Sequence, residues 1–324
     1  MTDAARSDAR PLDQEDINAA RDLAARLTQT VRAAVELRDG LLEQILVCIV
    51  AEGHVLIEDL PGVGKTTLAR SLAQALGLQF ARVQCTADLL PADVVGTNVY
   101  NRREERFEFR PGPIFANVVL VDEINRASPK TQSGLLECMQ ENRVTVDVHT
   151  HELARPFLVL ATQNPIELEG TYPLPEAQVD RFMARISLGY PSAAAEADML
   201  RVHEASDGTG GVAAAGDAGE LLAAQDAARR VLTSDALRAY VVALLGATRE
   251  DPRVQLGASP RAGLMLLRAA KARALLAGRG HALPDDVQAL AEIVLAHRLV
   301  LAPDAFDATA EAVVADAVRA VPAL

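Results

Sequence analysis

The 324-residue chain reads as an α/β protein, a parallel sheet with helices on both faces, followed by a small all-helical domain. Three observations predict this. Short apolar strands alternate with helix-length stretches through the first two thirds of the chain. The loop Pro61, Gly62, Val63, Gly64, Lys65, Thr66 stands between the first strand and the helix after it. Finally, residues 204–219 are rich in Gly, Ala, Ser and Asp, and the C-terminal third beyond them is rich in Ala and Leu with helical periodicity.

Taken in order, residues 1–10 are polar and lack the basic-then-apolar pattern of a signal peptide. Residues 11–37 carry Ile17, Leu23, Leu27 and Val31 at helical spacing, and 41–50 is a second helix-length apolar run, too short to span a bilayer. A buried strand is predicted at 54–57, then a helix over 67–76 closed by Gly77. Further strands are predicted at 81–83, 118–121 and 157–161, the rhythm of a parallel sheet. Ser128 before Pro129 marks a helix start, and Leu135, Leu136 and Met139 supply its inner face. Beyond the linker, Pro252, Pro260, Gly280 and Pro284 break the helical pattern into segments. The division expected is an N-terminal helical segment (1–30), a core (31–200), a linker (201–224) and a helical domain (225–324).

Half the residues are hydrophobic and the net charge is −12, the composition of a globular protein with no default adhesion to nucleic acid or anionic membrane. Cys48, Cys85 and Cys138 are widely spaced without a C-x-x-C pair, which fits reduced core thiols better than a disulfide framework or a zinc site. A cytoplasmic protein is expected.

The chemistry concentrates in two motifs. In a loop of this kind the glycines let successive backbone N–H groups converge on phosphate at a helix N-terminus, while Lys65 reaches the β- and γ-phosphates and the Thr66 hydroxyl binds Mg²⁺, with Thr67 following in the first turn. The pattern G-x-x-x-x-G-K-[ST] wants glycine where this chain has Asp59. About sixty residues on, the apolar run 117–121 delivers Asp122 and Glu123 at a strand's C-terminal end, where ligands sit in open α/β sheets. Asp122 is the candidate Mg²⁺ ligand, and Glu123 the candidate group that orients or deprotonates water. The next strand ends in Thr162, Gln163 and Asn164; Asn164 can hold the water or the γ-phosphate if the strands are neighbours, though a lone strand-end asparagine more often caps its own turn. Phosphoryl transfer also gains from arginines, but with 32 basic residues position alone does not select them.

The segments EDLPGVGKTTLAR, RPGPIFANVVLVDEINRASPKTQSGLLE, FLVLATQNPIELEGTYPLPEAQVDRF and GASPRAG closely resemble the MoxR group of P-loop AAA+ ATPases, in the helix-2-insert branch. The resemblance covers roughly residues 31–191 and the C-terminal lid, and Asp59 fits it, because the family commonly has E-D-x-P-G-x-G-K-T. It implies a P-loop AAA+ core with a five-stranded parallel sheet and a helical lid. It also implies that Asn164 is the sensor-1 residue, Arg181 in D-R-F an arginine finger offered to a neighbouring subunit, and Arg261 sensor 2. The substrate and cofactor implied are ATP and Mg²⁺, and the assembly a hexameric ring.

Two stretches look like insertions. Residues 99–109 read as a charged hairpin, with Arg102, Arg103, Glu104, Glu105 and Arg106 between Tyr100 and the alternating Phe107 and Phe109. Residues 144–153 form a second candidate, turning near His149 and Thr150; His149 and His151 are spaced to hold a metal, but exposed turn histidines are far commoner and none is assigned. In relatives such hairpins look toward the pore and the substrate. The resemblance implies ATP-driven remodelling or activation of partner proteins, often ones with a von Willebrand factor A domain; the alternative is a DNA translocase or helicase, against which the net charge argues. Neither membrane insertion nor nucleic-acid binding is expected.

Overall fold

The computed structural model describes residues 10–147, 149–165, 170–190 and 211–323. It opens with helix α1 (Gln14–Arg32), started by the Asp13 carboxylate accepting the Asp16 amide and burying Ile17, Ala20, Leu23, Leu27 and Val31 as one stripe. Helix α2 (Leu41–Val50) is apolar nearly all round and correspondingly buried nearly all round.

Strand β1 (Val55–Glu58), helix α3 (Lys65–Ala75) and strand β2 (Phe80–Gln84) follow, then the short helix α4 (Pro91–Val95) and a hairpin of β3 (Gly96–Asn101) and β4 (Arg106–Pro111). Next come β5 (Val118–Asp122), α5 (Pro129–Glu141), a second hairpin of β6 (Arg143–Val146) and β7 (His149–Glu152), β8 (Leu158–Gln163), α6 (Glu176–Val179) and β9 (Ala184–Ile186). The main sheet has five strands in the order β2-β5-β8-β1-β9, every pair parallel.

Side chains along these strands alternate between two apolar layers, the period-two pattern of a sheet covered on both faces. Val55, Ile57, Val118, Leu120, Leu158 and Leu160 face the layer that holds α1, α2, α3 and most of the C-terminal helices. Leu56, Val119, Val121, Val159 and Ala161 face the layer that holds Leu135, Leu136 and Met139 of α5. Each fully buried leucine or valine contributes about 1.5–3 kcal/mol relative to exposure. All three cysteines are free and buried, and burial pushes each thiol up to about 12.

The C-terminal part consists of α7 (Ala218–Arg230), α8 (Asp235–Glu250), α9 (Pro260–Leu276), α10 (Pro284–Leu295) and α11 (Ala310–Ala320). Ser234, Ser259 and Thr309 cap three of these starts. A small antiparallel ribbon of β10 (Val254–Leu256) and β11 (Val300–Leu301) ties the set together.

Three sequence readings shift. Part of the expected linker is helical: Asp217 and Glu220 form a reciprocal cap, so α7 begins at Ala218, while residues 201–210 lie outside the described residues. Helix α1 is no separate segment, since it packs on α7, α3 and α9, and Arg230 binds Asp16 at 2.8 Å. The second hairpin turns at Asp147, which takes a left-handed φ of 55°, not at His149 and Thr150, which are both in β7; residue 148 lies outside the described residues.

His54, just before β1, is buried, with Nδ1 accepting from the Val159 amide at 3.0 Å and Nε2 facing the Met139 carbonyl at 2.9 Å. Nδ1 is therefore the acceptor and Nε2 carries the hydrogen of a neutral ring. Burial lowers its pKa from 6.5 to about 4. The unfolded chain takes up this proton first as pH falls, so stability is complete above about 6.5 and is lost toward about 4. Unfolding free energy from urea titrations is expected to fall by about 2 kcal/mol between pH 6.5 and 5 on account of this group alone. In His54→Gln the fall should be smaller, and equal falls in the two proteins would remove His54 as the cause.

Candidate active site

The loop after β1 has the backbone shape that phosphate binding needs. Gly62 and Gly64 take φ of 88° and 90°, a region disfavoured for side-chain-bearing residues, and a Cβ at either would meet nothing within 4 Å. Open space thus lies beside the loop. Gly64 begins α3 without any side-chain cap, leaving the first N–H groups of that helix directed at the loop. Lys65 Nζ donates to the Asp59 carbonyl at 3.0 Å; burial lowers its pKa, while Asp59, Asp122 and Glu123 act in the opposite direction.

Asp59 explains the missing glycine. Its buried carboxylate accepts from Leu188 N at 2.5 Å, Ser187 Oγ at 2.7 Å and Gly189 N at 3.2 Å, the residues just past β9. Where other loops have a flexible residue, this one is fastened to the edge strand of the sheet.

Strands β5 and β8 are neighbours, with Val121 opposite Ala161, so Asp122, Glu123 and Asn164 emerge together at the same end of the sheet as the loop. Asp122 is buried; Thr162 Oγ1 donates to its Oδ1 at 3.3 Å and Arg82 Nε to its Oδ2 at 2.6 Å. Glu123 has a left-handed φ of 56°, with its amide donating to Thr162 Oγ1 at 2.9 Å. Its carboxylate accepts from Gln84 at 3.3 Å and lies 3.3 Å from Arg126. Asn164 is buried one residue beyond β8.

Arg181 and Arg261 lie elsewhere. They line a cleft of about 140 Å³ together with His54, Arg155, Pro156 and Arg268. His54 and Pro156 precede β1 and β8, so this cleft is at the N-terminal end of the sheet and the loop at its C-terminal end. The four residues of β1 alone span about 13 Å between them. Arg155 is paired with Glu52 at 2.8 Å, and Arg268 donates to the Ala51 carbonyl at 2.9 Å. Among the described residues, the guanidinium groups of Arg181 and Arg261 make no hydrogen bond or ion pair.

The chain matches the family model described as "ATPase family associated with various cellular activities (AAA)" over residues 54–184 and that of the AAA lid domain over 246–317. It is 50% identical to the YeaC protein of Bacillus subtilis over 85% of this chain and 87% of that one. It is 43% identical to the chaperone MoxR1 of Mycobacterium tuberculosis over 88% of this chain and 79% of the relative. The chain belongs to the MoxR family of AAA+ ATPases. A solved structure from Cytophaga hutchinsonii superposes on this MoxR chain with a TM-score of 0.89 at 37% identity, covering 96% of this chain and 97% of that one. The AAA match runs from just before β1 to the start of β9 and so takes in the five-stranded sheet, and the lid match falls on the C-terminal helices within 246–317. No described helix is long and apolar enough to cross a membrane.

Several residues at this MoxR site were invisible to motif reading. Arg82 and Gln84 of β2 reach Asp122 and Glu123 because β2 adjoins β5, with Gln84 opposite Asp122. Only strand order could have shown that. Thr162 touches both carboxylate residues, and its position at a strand end beside Asn164 was the available signal.

Proposed function

We propose that this ATPase works as a closed ring in which each nucleotide is bound by one protomer and completed by Arg181 and Arg261 of the next. One observation carries the reading: these two arginines, unpaired among the described residues and sharing a cleft, lie at the opposite end of the sheet from their own chain's loop. They cannot serve that loop without dismantling the sheet, whereas head-to-tail contacts of a ring bring one protomer's cleft to its neighbour's loop. A hexamer is the proposed closure.

The residues suit a magnesium nucleotide, since the glycine loop is open and Asp122 and Thr66 stand at its end of the sheet. Thr66 and Asp122 would hold Mg²⁺, which when bound neutralises charge on the phosphate oxygens. Lys65 exchanges the Asp59 carbonyl for phosphate oxygens. Glu123 orients water and accepts its proton, Asn164 holds the water or the γ-phosphate, and the two arginines counter the charge that develops as the terminal phosphoryl group transfers to water.

The work driven is proposed to be chaperone-like remodelling of a partner protein, the reading that a relative named as a chaperone supports. A von Willebrand factor A domain protein is the proposed partner class. A protein partner is favoured over DNA because the chain is net −12 and the first hairpin mixes its charges: Arg106 pairs with Glu104 and lies 3.2 Å from Glu108, while Tyr100 and Phe107 stand exposed edge to face.

Subunit mixing tests the shared site. Arg181→Ala keeps its own loop and Glu123→Gln keeps its own arginines; each is expected to be inactive alone, and the two mixed should regain activity. A mixture as inactive as its parts would overturn the shared site.

A further inference from the structure

Asp180 immediately precedes Arg181, and it is the meeting point of two groups from the lid. Arg298, in the 3₁₀ turn Ala296–Arg298 that ends α10, donates from Nε to Asp180 Oδ1 at 2.7 Å. Ser259 Oγ approaches the two oxygens of the same carboxylate at 3.3 and 3.4 Å. The rest of the Arg298 guanidinium follows the main chain around Arg181: Nη2 donates to the Asp180 carbonyl at 3.3 Å and the Phe182 carbonyl at 2.5 Å, and Nη1 to the Met183 carbonyl at 3.3 Å. Nη1 also donates to the Val294 carbonyl on its own helix, and Nη2 lies 2.7 Å from Met265 Sδ.

The Arg298 side chain is 2% exposed. Burying a guanidinium is costly unless its donors are satisfied, and here they are satisfied almost wholly by one four-residue turn. That turn presents Arg181. Ser259, for its part, caps α9 by accepting the Ala262 amide at 3.1 Å, and Arg261 lies two residues into that helix. One carboxylate, Asp180, therefore links the segment carrying Arg181 to the segment carrying Arg261, and Arg298 locks the link. Arg298 lines neither the loop nor the cleft, so it touches no phosphate itself.

We propose that Arg298 is a positioning residue that, through Asp180 and Ser259, holds Arg181 and Arg261 as one rigid pair aimed at the neighbouring protomer's nucleotide. The proposal rests on the shared-site reading above. It makes the lid and the arginine pair a single body, so that the lid acts on the next protomer's phosphates rather than on its own. A planar fork meeting several fixed oxygens is work for arginine; a lysine supplies a point charge and cannot reproduce it.

The test uses the full chain with Arg298→Met, which keeps length and removes the donors. Misplacement of a catalytic group by about 1 Å costs about 10²-fold, so kcat is expected to fall by about that factor while KM and the affinity for a fluorescent ADP analogue stay near wild type. Arg298→Lys should not restore kcat. Mixed with Glu123→Gln, Arg298→Met should regain activity, because the partner contributes a correctly held pair. If Arg181→Ala is rescued by this mixing and Arg298→Met is not, or if kcat and nucleotide affinity fall together, Arg298 is only a staple of the lid and the proposal is overturned. Should Arg181→Ala also resist rescue, the fault lies with the shared site. Should Arg298→Met fail to fold, Asp180→Asn combined with Ser259→Ala decides: lowered kcat with intact nucleotide binding supports the proposal, and unchanged kcat overturns it.

Discussion

Glu123→Gln is expected to bind ATP as the wild-type chain does and to hydrolyse it about 10²- to 10⁴-fold more slowly, the factor a positioned general base supplies. The substitution changes little else. Glutamine has the same length, so its carbonyl oxygen can keep the contacts from Gln84 and Arg126, and the backbone is held separately by the amide donating to Thr162. What is lost is the capacity to take a proton. Single-turnover phosphate release beside a nucleotide titration measures the split; hydrolysis within about tenfold of wild type would remove Glu123 from the role of base. Because it retains ATP, the same variant should hold a bound partner protein, and Lys65→Ala should not.

Arg181→Ala is expected to lower kcat by about 10³-fold or more, the range for a guanidinium lent to a phosphoryl-transfer site. Stability should scarcely change, since among the described residues the Arg181 side chain has no partner to lose, and it is partly exposed. The affinity of the isolated chain for nucleotide should also hold, because its own loop is at the far end of the sheet. A steady-state comparison at several protein concentrations checks this, as a shared site makes wild-type turnover per chain rise with assembly. An Arg181→Ala protein with wild-type kcat would end the arginine's proposed role.

The loop and the two carboxylates were legible because they are local: glycines, lysine and hydroxyl are consecutive, and an apolar strand ending in Asp122 and Glu123 announces itself within seven residues. Strands β1, β5 and β8 were legible for the same reason, each being a short buried apolar run, whereas β9, three residues with Arg185 at its centre, gave no such signal and entered only as the fifth strand that the resemblance implies. What escaped was set by distance along the chain. Arg298 meets Asp180 across 118 positions, and nothing near either residue distinguishes this arginine from a solvated one. Arg82 escaped too, since its partner depends on which strands lie side by side. The linker was drawn too long because small residues such as Ala218 and Gly219 read as loop until the Asp217 and Glu220 cap is recognised. Asp59 was legible only as a departure from a pattern, and its reason, a carboxylate held 128 to 130 positions downstream, is tertiary.

Strand β9 is three residues long and both of its ends are spoken for. Before it stands the turn gripped by Arg298; after it stand Ser187, Leu188 and Gly189, fastened to Asp59; and midway Arg185 reaches Glu58 at 3.1 Å and Glu311 of the lid at 2.7 Å. In a circle of such protomers each chain shows its loop to one side and its arginines to the other, with this short rod joining the two. The clockwise and anticlockwise directions around the proposed ring are therefore not equivalent.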